Sequence, residues 1–402
     1  MSRPRVVVLA PAAPVDASSH AGGRYLHILV TTLGTHADVT VVTPNTPAAR
    51  AAGTAPRARS SVIIADRDRP DRLRQRAVRR LVAIAQRGLV RLDPGLPSLS
   101  LGLAILRRGP VRDAVASADV VDLQWSESLR LAGIVRRVNP RARVVGTFHD
   151  VQSQLFSRSP TTTLGGRLRR RLAVAVARHY ERRAVSLLDD VAVFSDKDAL
   201  LLGSPGRVRV IHPPLSTGTE APAATPAGPP TVVFVAHFAR VVNEDAARWL
   251  LSDVWPRVRD AVPDARLSLV GRDVSATLAA EVEAHPGVTA MGFVADMSVA
   301  LASAHVAVAP LLQGAGVKFK TVEALLHGVP VVATTIGAEG IDIPDLFAGV
   351  VDGPEGFARA VIEALTDTET ARERAARAQE WARRTYSAES FAATIEQAYG
   401  IA

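Results

Sequence analysis

Short apolar runs that alternate with helix-patterned stretches constrain this chain more than any other feature. "RVVVLAP" is followed by the amphipathic "GGRYLHILVTTLGTH" and then by "DVTVVTP". "DVVDLQW", "ARVVGTFHD" and "DDVAVFS" come later, each with a helical pattern behind it. Strands that are apolar throughout must be covered on both faces, and a parallel sheet flanked by helices does this. Residues 216–230, "STGTEAPAATPAGPP", break the alternation and read as a linker or exposed loop. It then restarts in "TVVFVAHF", "ARLSLVG", "VTAMGF", "HVAVAPL" and "VPVVATT". The predicted class is α/β, with two doubly wound domains. A length of 402 residues and a hydrophobic content of 48% suit two cores. The expected division is 1–210, a linker over 211–230, a second domain over 231–384 and a closing helix over 385–402. Ser387 in "SAES" is the expected cap of that helix, with Ser390 where a capping box usually has Glu.

Composition removes several function classes. The chain has no cysteine, so disulfides and thiolate metal sites are excluded, and a reducing cytoplasm is the expected setting. The apolar core of the N-terminal stretch is too short for a signal peptide. No uncharged apolar run approaches the ~20 residues of a membrane span. The longest candidate, "PGLPSLSLGLAIL", is broken by Pro and Gly. Charge is unevenly placed: residues 1–205 carry 32 Lys and Arg against 16 Asp and Glu, and the remainder 16 against 23. The first half therefore attracts anionic partners. Its "DRLRQRAVRRLVAIAQRGLVRL" and "RLRRRLAVAVARHYERR" mix Arg clusters with Leu, Val and Ile. Either they lie on an anionic membrane surface, peripheral at its inner face, or they are ordinary helices with Arg outside. Nucleic acid is not an expected partner, because aromatics are 4% and no known module is present.

Only three of the 48 basic residues are lysines, and two of them stand together in "GAGVKFKTVEALLHGVPVVAT", Gly314 to Thr334. Phe319, Val322, Leu325 and Leu326 share one helical face, Gly328 ends the helix, and "VPVVAT" is the next strand. Lys318 and Lys320 thus fall in a first helical turn, where each cation opposes the helix dipole by about 0.3–1 kcal/mol. Glu323, three residues after Lys320, is a weak offset because Lys before Glu is the poorer order. A phosphate is a better one, since it meets the N–H groups after "GAG", the positive helix end and the Lys318 ammonium. The expectation is a diphosphate site in which Lys318 touches the anion. Lys320, about 200° round the helix, should turn to Glu323 instead. Two solvated surface lysines are the ordinary alternative. A second candidate is Gly22-Gly23, between the first strand and its helix, where the backbone can approach an anion, although a plain turn has the same composition.

With "GTFHD", "RHYERRAVSLLDDVAVFSDKDALLL", "LSLVGRD" and "GFVADMSVALASAHVAVAPL", these segments resemble the retaining glycosyltransferases of family 4 over nearly the whole chain. The resemblance implies the GT-B architecture: two Rossmann-like domains facing across a cleft, with the final helix crossing back to the first. It implies a nucleotide sugar held mostly by the second domain, an acceptor on the first, and neither metal nor other cofactor in catalysis. Glu323 matches the second Glu of the family's Glu-x7-Glu motif, which binds the donor ribose. The first Glu falls at Ala315 and is absent. "GAGVKFK" resembles a glycine-rich subset in which a donor-sugar loop with Gly314 and Ala315, and backbone amides at Gly316 and Val317, take its place. The family's phosphate-binding Arg and Lys fall near His237 and Asn243, leaving Lys318, with Arg240, to supply the charge. His149 matches a histidine at the sugar end of the cleft and is the catalytic candidate. Gly22 and Gly23 match the loop reaching the phosphate, and Phe293 and Val294 fall at the base.

The implied reaction is retaining transfer of a hexosyl group from a UDP-, GDP- or dTDP-sugar to a hydroxyl. The acceptor would be lipid-linked, a glycan or a small molecule. A retaining glycosidase would need two carboxylates flanking the bond, and no such pair stands in context. "DRD" (Asp66 to Asp68) and "DKD" (Asp196 to Asp198) imitate a metal-binding Asp-x-Asp. They read instead as a loop and a capped, acidic helix turn. A GT-B sugar-nucleotide epimerase would need carboxylates near the sugar, against which the loss of Glu at 315 argues. The same losses motivate a third reading, a non-catalytic GT-B partner protein.

Overall fold

The computed structural model describes residues 3–14, 21–46, 49–50, 60–65, 73–93, 95–203, 206–220, 226–294 and 297–401. The chain forms two compact units, Met1–Pro213 with Phe391–Ala402, and Pro214–Ser390. Asp66 to Asp68 lie outside the described residues.

Unit 1 holds a seven-stranded sheet built from β1 (Arg5–Leu9), β2 (Asp38–Thr43), β3 (Ser60–Ile64), β4 (Val120–Gln124), β5 (Arg143–Thr147), β6 (Asp190–Val193) and β7 (Val208–Val210). The order is β3-β2-β1-β4-β5-β6-β7, and every pairing is parallel. Central β1 is buried at its four apolar positions, Val6 to Leu9, which is why it reads as an apolar run. Unit 2 repeats the pattern with β8 (Thr231–Val235), β9 (Arg266–Val270), β10 (Val288–Gly292), β11 (Val306–Ala309), β12 (Val331–Ala333) and β13 (Gly349–Val350). Its order is β10-β9-β8-β11-β12-β13, again all parallel. Both are doubly wound parallel sheets, as the alternating pattern predicts. The strand order reverses between β1 and β4 in unit 1, and between β8 and β11 in unit 2. Ligands of such sheets bind outside the carboxyl ends of the strands at that reversal.

The last helix, Ala388–Tyr399, starts at Ser387, whose hydroxyl accepts from the Ser390 N–H at 3.0 Å. Phe391, Ile395 and Tyr399 recur every four residues and are buried in unit 1. Ser195 caps the helix Asp196–Leu201 by accepting from the Asp198 N–H, and Lys197 pairs with Asp198. "DKD" is therefore a capped first turn, as its sequence suggests.

Candidate functional site

In unit 2 the reversal point carries the glycine loop. Gly314 and Gly316 have φ of 133° and 70°, conformations open to glycine and costly for other residues. Lys318 is the N-cap residue of the helix Phe319–Leu326. Its ammonium donates to the carbonyls of Ala315, at 3.1 Å, and Gly316, and lies 3.6 Å from the buried Glu339 carboxylate. In a trans peptide the N–H points opposite to the C=O of the same plane. Tying the carbonyls of 315 and 316 to the ammonium therefore turns the amides of Gly316 and Val317 away from it. Thr334 fixes the near end of the loop by donating to the Leu311 carbonyl at 2.5 Å and accepting from the Gly337 N–H at 2.9 Å. Lys318→Met should leave Glu339 without this cation and release both carbonyls. Denaturant unfolding is expected to show a loss of about 1–3 kcal/mol.

Lys320 does not turn to Glu323 as expected. It donates to Asn243 Oδ1 at 2.9 Å and stands 4.8 Å above the Phe234 ring. Helical side chains lean toward the helix N-terminus, which carries this one back over β8 rather than forward to the next turn. Burial, followed by the nearby Arg240 and Lys318 charges, pushes its ammonium down to about 7. Asn243 is itself buried and donates to the His237 carbonyl at 2.8 Å, so one amide joins the turn after β8 to the helix at 319. The resemblance places a phosphate-binding residue near Asn243, but the pairing with Lys320, 77 residues away, comes from the fold alone.

The other expected donor residues belong to unit 2 as well. Arg240 is exposed at the N-cap of the helix Val241–Trp249. His237 pairs with Asp273 at 2.6 Å. Glu323 is half-buried on the helix Phe319–Leu326. Phe293 is exposed just after β10, and Val294 packs on the core beside it.

In unit 1, Gly22 and Gly23 sit inside the first turn of the helix Ala21–His36, not ahead of it. His149, just after β5, belongs to a polar cluster beneath that helix. Gln124 donates to both Asp122 oxygens, at 3.0 and 2.8 Å, and to Thr147 at 3.1 Å. Its amide protons are thus committed, and its oxygen faces His149 Nε2 at 2.9 Å. His149 must be the donor there, which places its proton on Nε2 and a lone pair on Nδ1. Burial pushes His149 down to about 3, so the ring is uncharged near neutral pH. Trp125 stacks on it at 3.7 Å from a left-handed backbone with φ of 67°, and Tyr25 and Phe194 meet it edge-on. A non-glycine residue held there stores about 1–3 kcal/mol of strain. Burial raises Asp122 to about 7, and Tyr399 adjoins its carboxyl.

Residues 229–367, within unit 2, match the family described as glycosyl transferases group 1. Unit 2 is a group 1 glycosyltransferase domain. The chain is thereby a glycosyltransferase, and solved structures agree on its fold. Sucrose-phosphate synthase from Thermosynechococcus elongatus is 18% identical, with a TM-score of 0.72 over 99% of this chain and 98% of that one. Anabaena HepE, solved with UDP, is 14% identical, with a TM-score of 0.67 over 99% of each chain. An E. coli protein named trehalose-6-phosphate, bound with UDP-2-fluoro glucose, is 11% identical, with a TM-score of 0.62 over 99% of each. No curated protein matches the chain. No helix among the described residues of this glycosyltransferase is long and apolar enough to cross a membrane.

Proposed function

We propose that this glycosyltransferase moves a hexosyl group, with retention, from a nucleotide-diphosphate hexose to an acceptor hydroxyl. The observation that carries the reading is the loop at 314–318, whose carbonyls are tied back on Lys318 so that two amides face the other way. Those amides, the positive end of the helix Phe319–Leu326 and the Lys320 ammonium make a diphosphate cradle. Lys318 then shapes the loop, and Lys320 with Arg240 supplies the charge, exchanging the roles that spacing alone suggests.

As the glycosyl–phosphate bond breaks, its electron pair stays on the leaving diphosphate, where amides and ammonium stabilise it. The acceptor hydroxyl attacks the anomeric carbon from the same face, and its proton passes to a leaving phosphate oxygen. No protein nucleophile and no metal enters this sequence. Glu323 takes the ribose hydroxyls. His149 Nδ1 offers an uncharged acceptor to a hydroxyl on unit 1. UDP-hexoses are the first donors to test, because HepE and the E. coli protein were solved with UDP or a UDP-sugar.

The test is incubation with UDP-, GDP- and dTDP-hexoses in EDTA, with products read by mass spectrometry and their anomeric configuration by NMR. Hydrolysis or transfer with retention is the expected result. Inversion, a requirement for manganese, a free epimer, or no turnover of any donor would each overturn the reading. Glu323→Ala should weaken nucleotide binding by about 1.5–3 kcal/mol, the range for hydrogen bonds to a charged group. Calorimetry on the folded variant with unchanged affinity would remove Glu323 from the ribose.

A further inference from the structure

The helix Leu164–Leu187 leaves its most apolar stripe in water. Leu164, Leu168 and Leu172, four residues apart and on one face, are 82%, 71% and 64% exposed. Its buried residues, Ala177, Glu181, Ala184 and Val185, all lie in the second half. The helix carries seven arginines and one acid, and that acid, Glu181, is buried and accepts from the Ser153 N–H at 2.8 Å. At about 100° per residue, Arg167, Arg171 and Arg178 flank the leucine stripe on one side and Arg169 on the other. All four are exposed.

The helix Leu73–Leu92 repeats the chemistry. Leu81, Ile84 and Leu89 are 65%, 63% and 43% exposed, Arg80 and Arg87 are exposed beside them, and its sequence has no acid. The two helices are joined where Arg130 pairs with Asp93, just past the end of Leu73–Leu92, and lies 4.2 Å over the Tyr180 ring of Leu164–Leu187. These exposures decide against an apolar stripe turned into the core.

We propose that the two helices dock the chain on an anionic lipid bilayer, with the leucines and Ile84 at the acyl boundary and the arginines on headgroup phosphates. Charge complementarity selects the partner's sign, and the leucines select its kind. A polyanion in water pairs the arginines but leaves the leucines wet, whereas a bilayer interface takes both. The proposal stands apart from the sugar chemistry, since no residue of the donor site takes part.

The absence of cysteine makes the test clean. Leu168→Cys carries a single environment-sensitive fluorophore, and Val299→Cys, on an exposed position of unit 2, is the control. With vesicles of phosphatidylcholine and about one-third phosphatidylglycerol, emission at 168 should shift to the blue and brighten severalfold. Emission at 299 should not change. In sedimentation, Leu164→Ser/Leu168→Ser/Leu172→Ser should bind at least about tenfold less, and high salt should weaken the wild type. If that variant misfolds, the single label still decides. Equal binding to neutral vesicles, undiminished binding by the serine variant, or a blue shift with RNA but not with vesicles would overturn the proposal.

Discussion

Exchange of Lys320 for methionine is expected to lower kcat/KM for sugar transfer by 2–4 kcal/mol, about 30- to 1000-fold, with the fold intact. Methionine keeps the stem over Phe234 and removes the charge together with the hydrogen bond to Asn243. That charge is weakly held without a ligand, because burial, Arg240 and Lys318 all oppose it. A diphosphate reverses the balance and restores the proton. Since the leaving diphosphate gains charge as the glycosyl bond breaks, the ammonium works hardest in the transition state, and kcat should fall with donor affinity. Folding stability should change little, because removing a half-buried cation opposed by its neighbours offsets the hydrogen bond lost at Asn243. Lys318→Met instead loses stability, so the two lysines separate in one pair of measurements.

The sign of the pH dependence follows from the same shift. The free site holds its proton only below about 7, and the occupied site holds it to higher pH. Donor affinity should therefore be constant below about 7 and fall as pH rises above it, by up to tenfold per unit until the bound-state pKa is reached. For folding, a lysine whose native pKa lies below its unfolded value lets stability rise with pH between about 7 and about 10. Lys320→Met should flatten both profiles. Steady-state kinetics and denaturant titrations across this range decide. Activity within threefold of wild type, or an unchanged affinity profile, would put the phosphate elsewhere.

The central strands were legible because full burial writes itself as an apolar run, as in β1. The edge strands β3, β7 and β13 were not, since a strand covered on one side lacks that run, and "VRV" or a two-residue "GV" resembles a loop. The glycine loop and the helix behind it were legible through Gly314, Gly316 and the apolar face that starts at Phe319. The direction of each lysine was not, because it depends on Asn243, Phe234 and Glu339, which only the fold brings near. In unit 1, His149 stood out as a histidine after a strand. The residues that fix its tautomer, Gln124 with Asp122 and Thr147, are polar positions spread over two strands, and only the fold brings them to the histidine.

Loss of the last helix should damage unit 1, to which residues from Phe391 onward belong. Tyr399 and Phe391 are fully buried, and Arg143 Nε donates to the Ala398 carbonyl at 3.1 Å. Tyr399→Ala is expected to cost about 3–5 kcal/mol, the usual loss for a buried aromatic residue. Tyr399 acts on Asp122 in two opposed ways: its nearby hydroxyl favours the carboxylate, while its ring shares in the larger burial that raises the carboxyl to about 7 from an ordinary 3.8. A carboxyl raised in this way makes the native state bind more protons than the unfolded chain, so wild-type stability falls as pH rises from about 4 through 7. Opening a path for water lets Asp122 ionise more easily and reduces that fall. The destabilisation by Tyr399→Ala should therefore be larger at pH 5 than at pH 8. Chemical denaturation of both proteins at the two pH values measures it. A difference of the opposite sign would mean that Asp122 stays dry without Tyr399, and that the cluster around Gln124 is sealed by β4 and β5 alone.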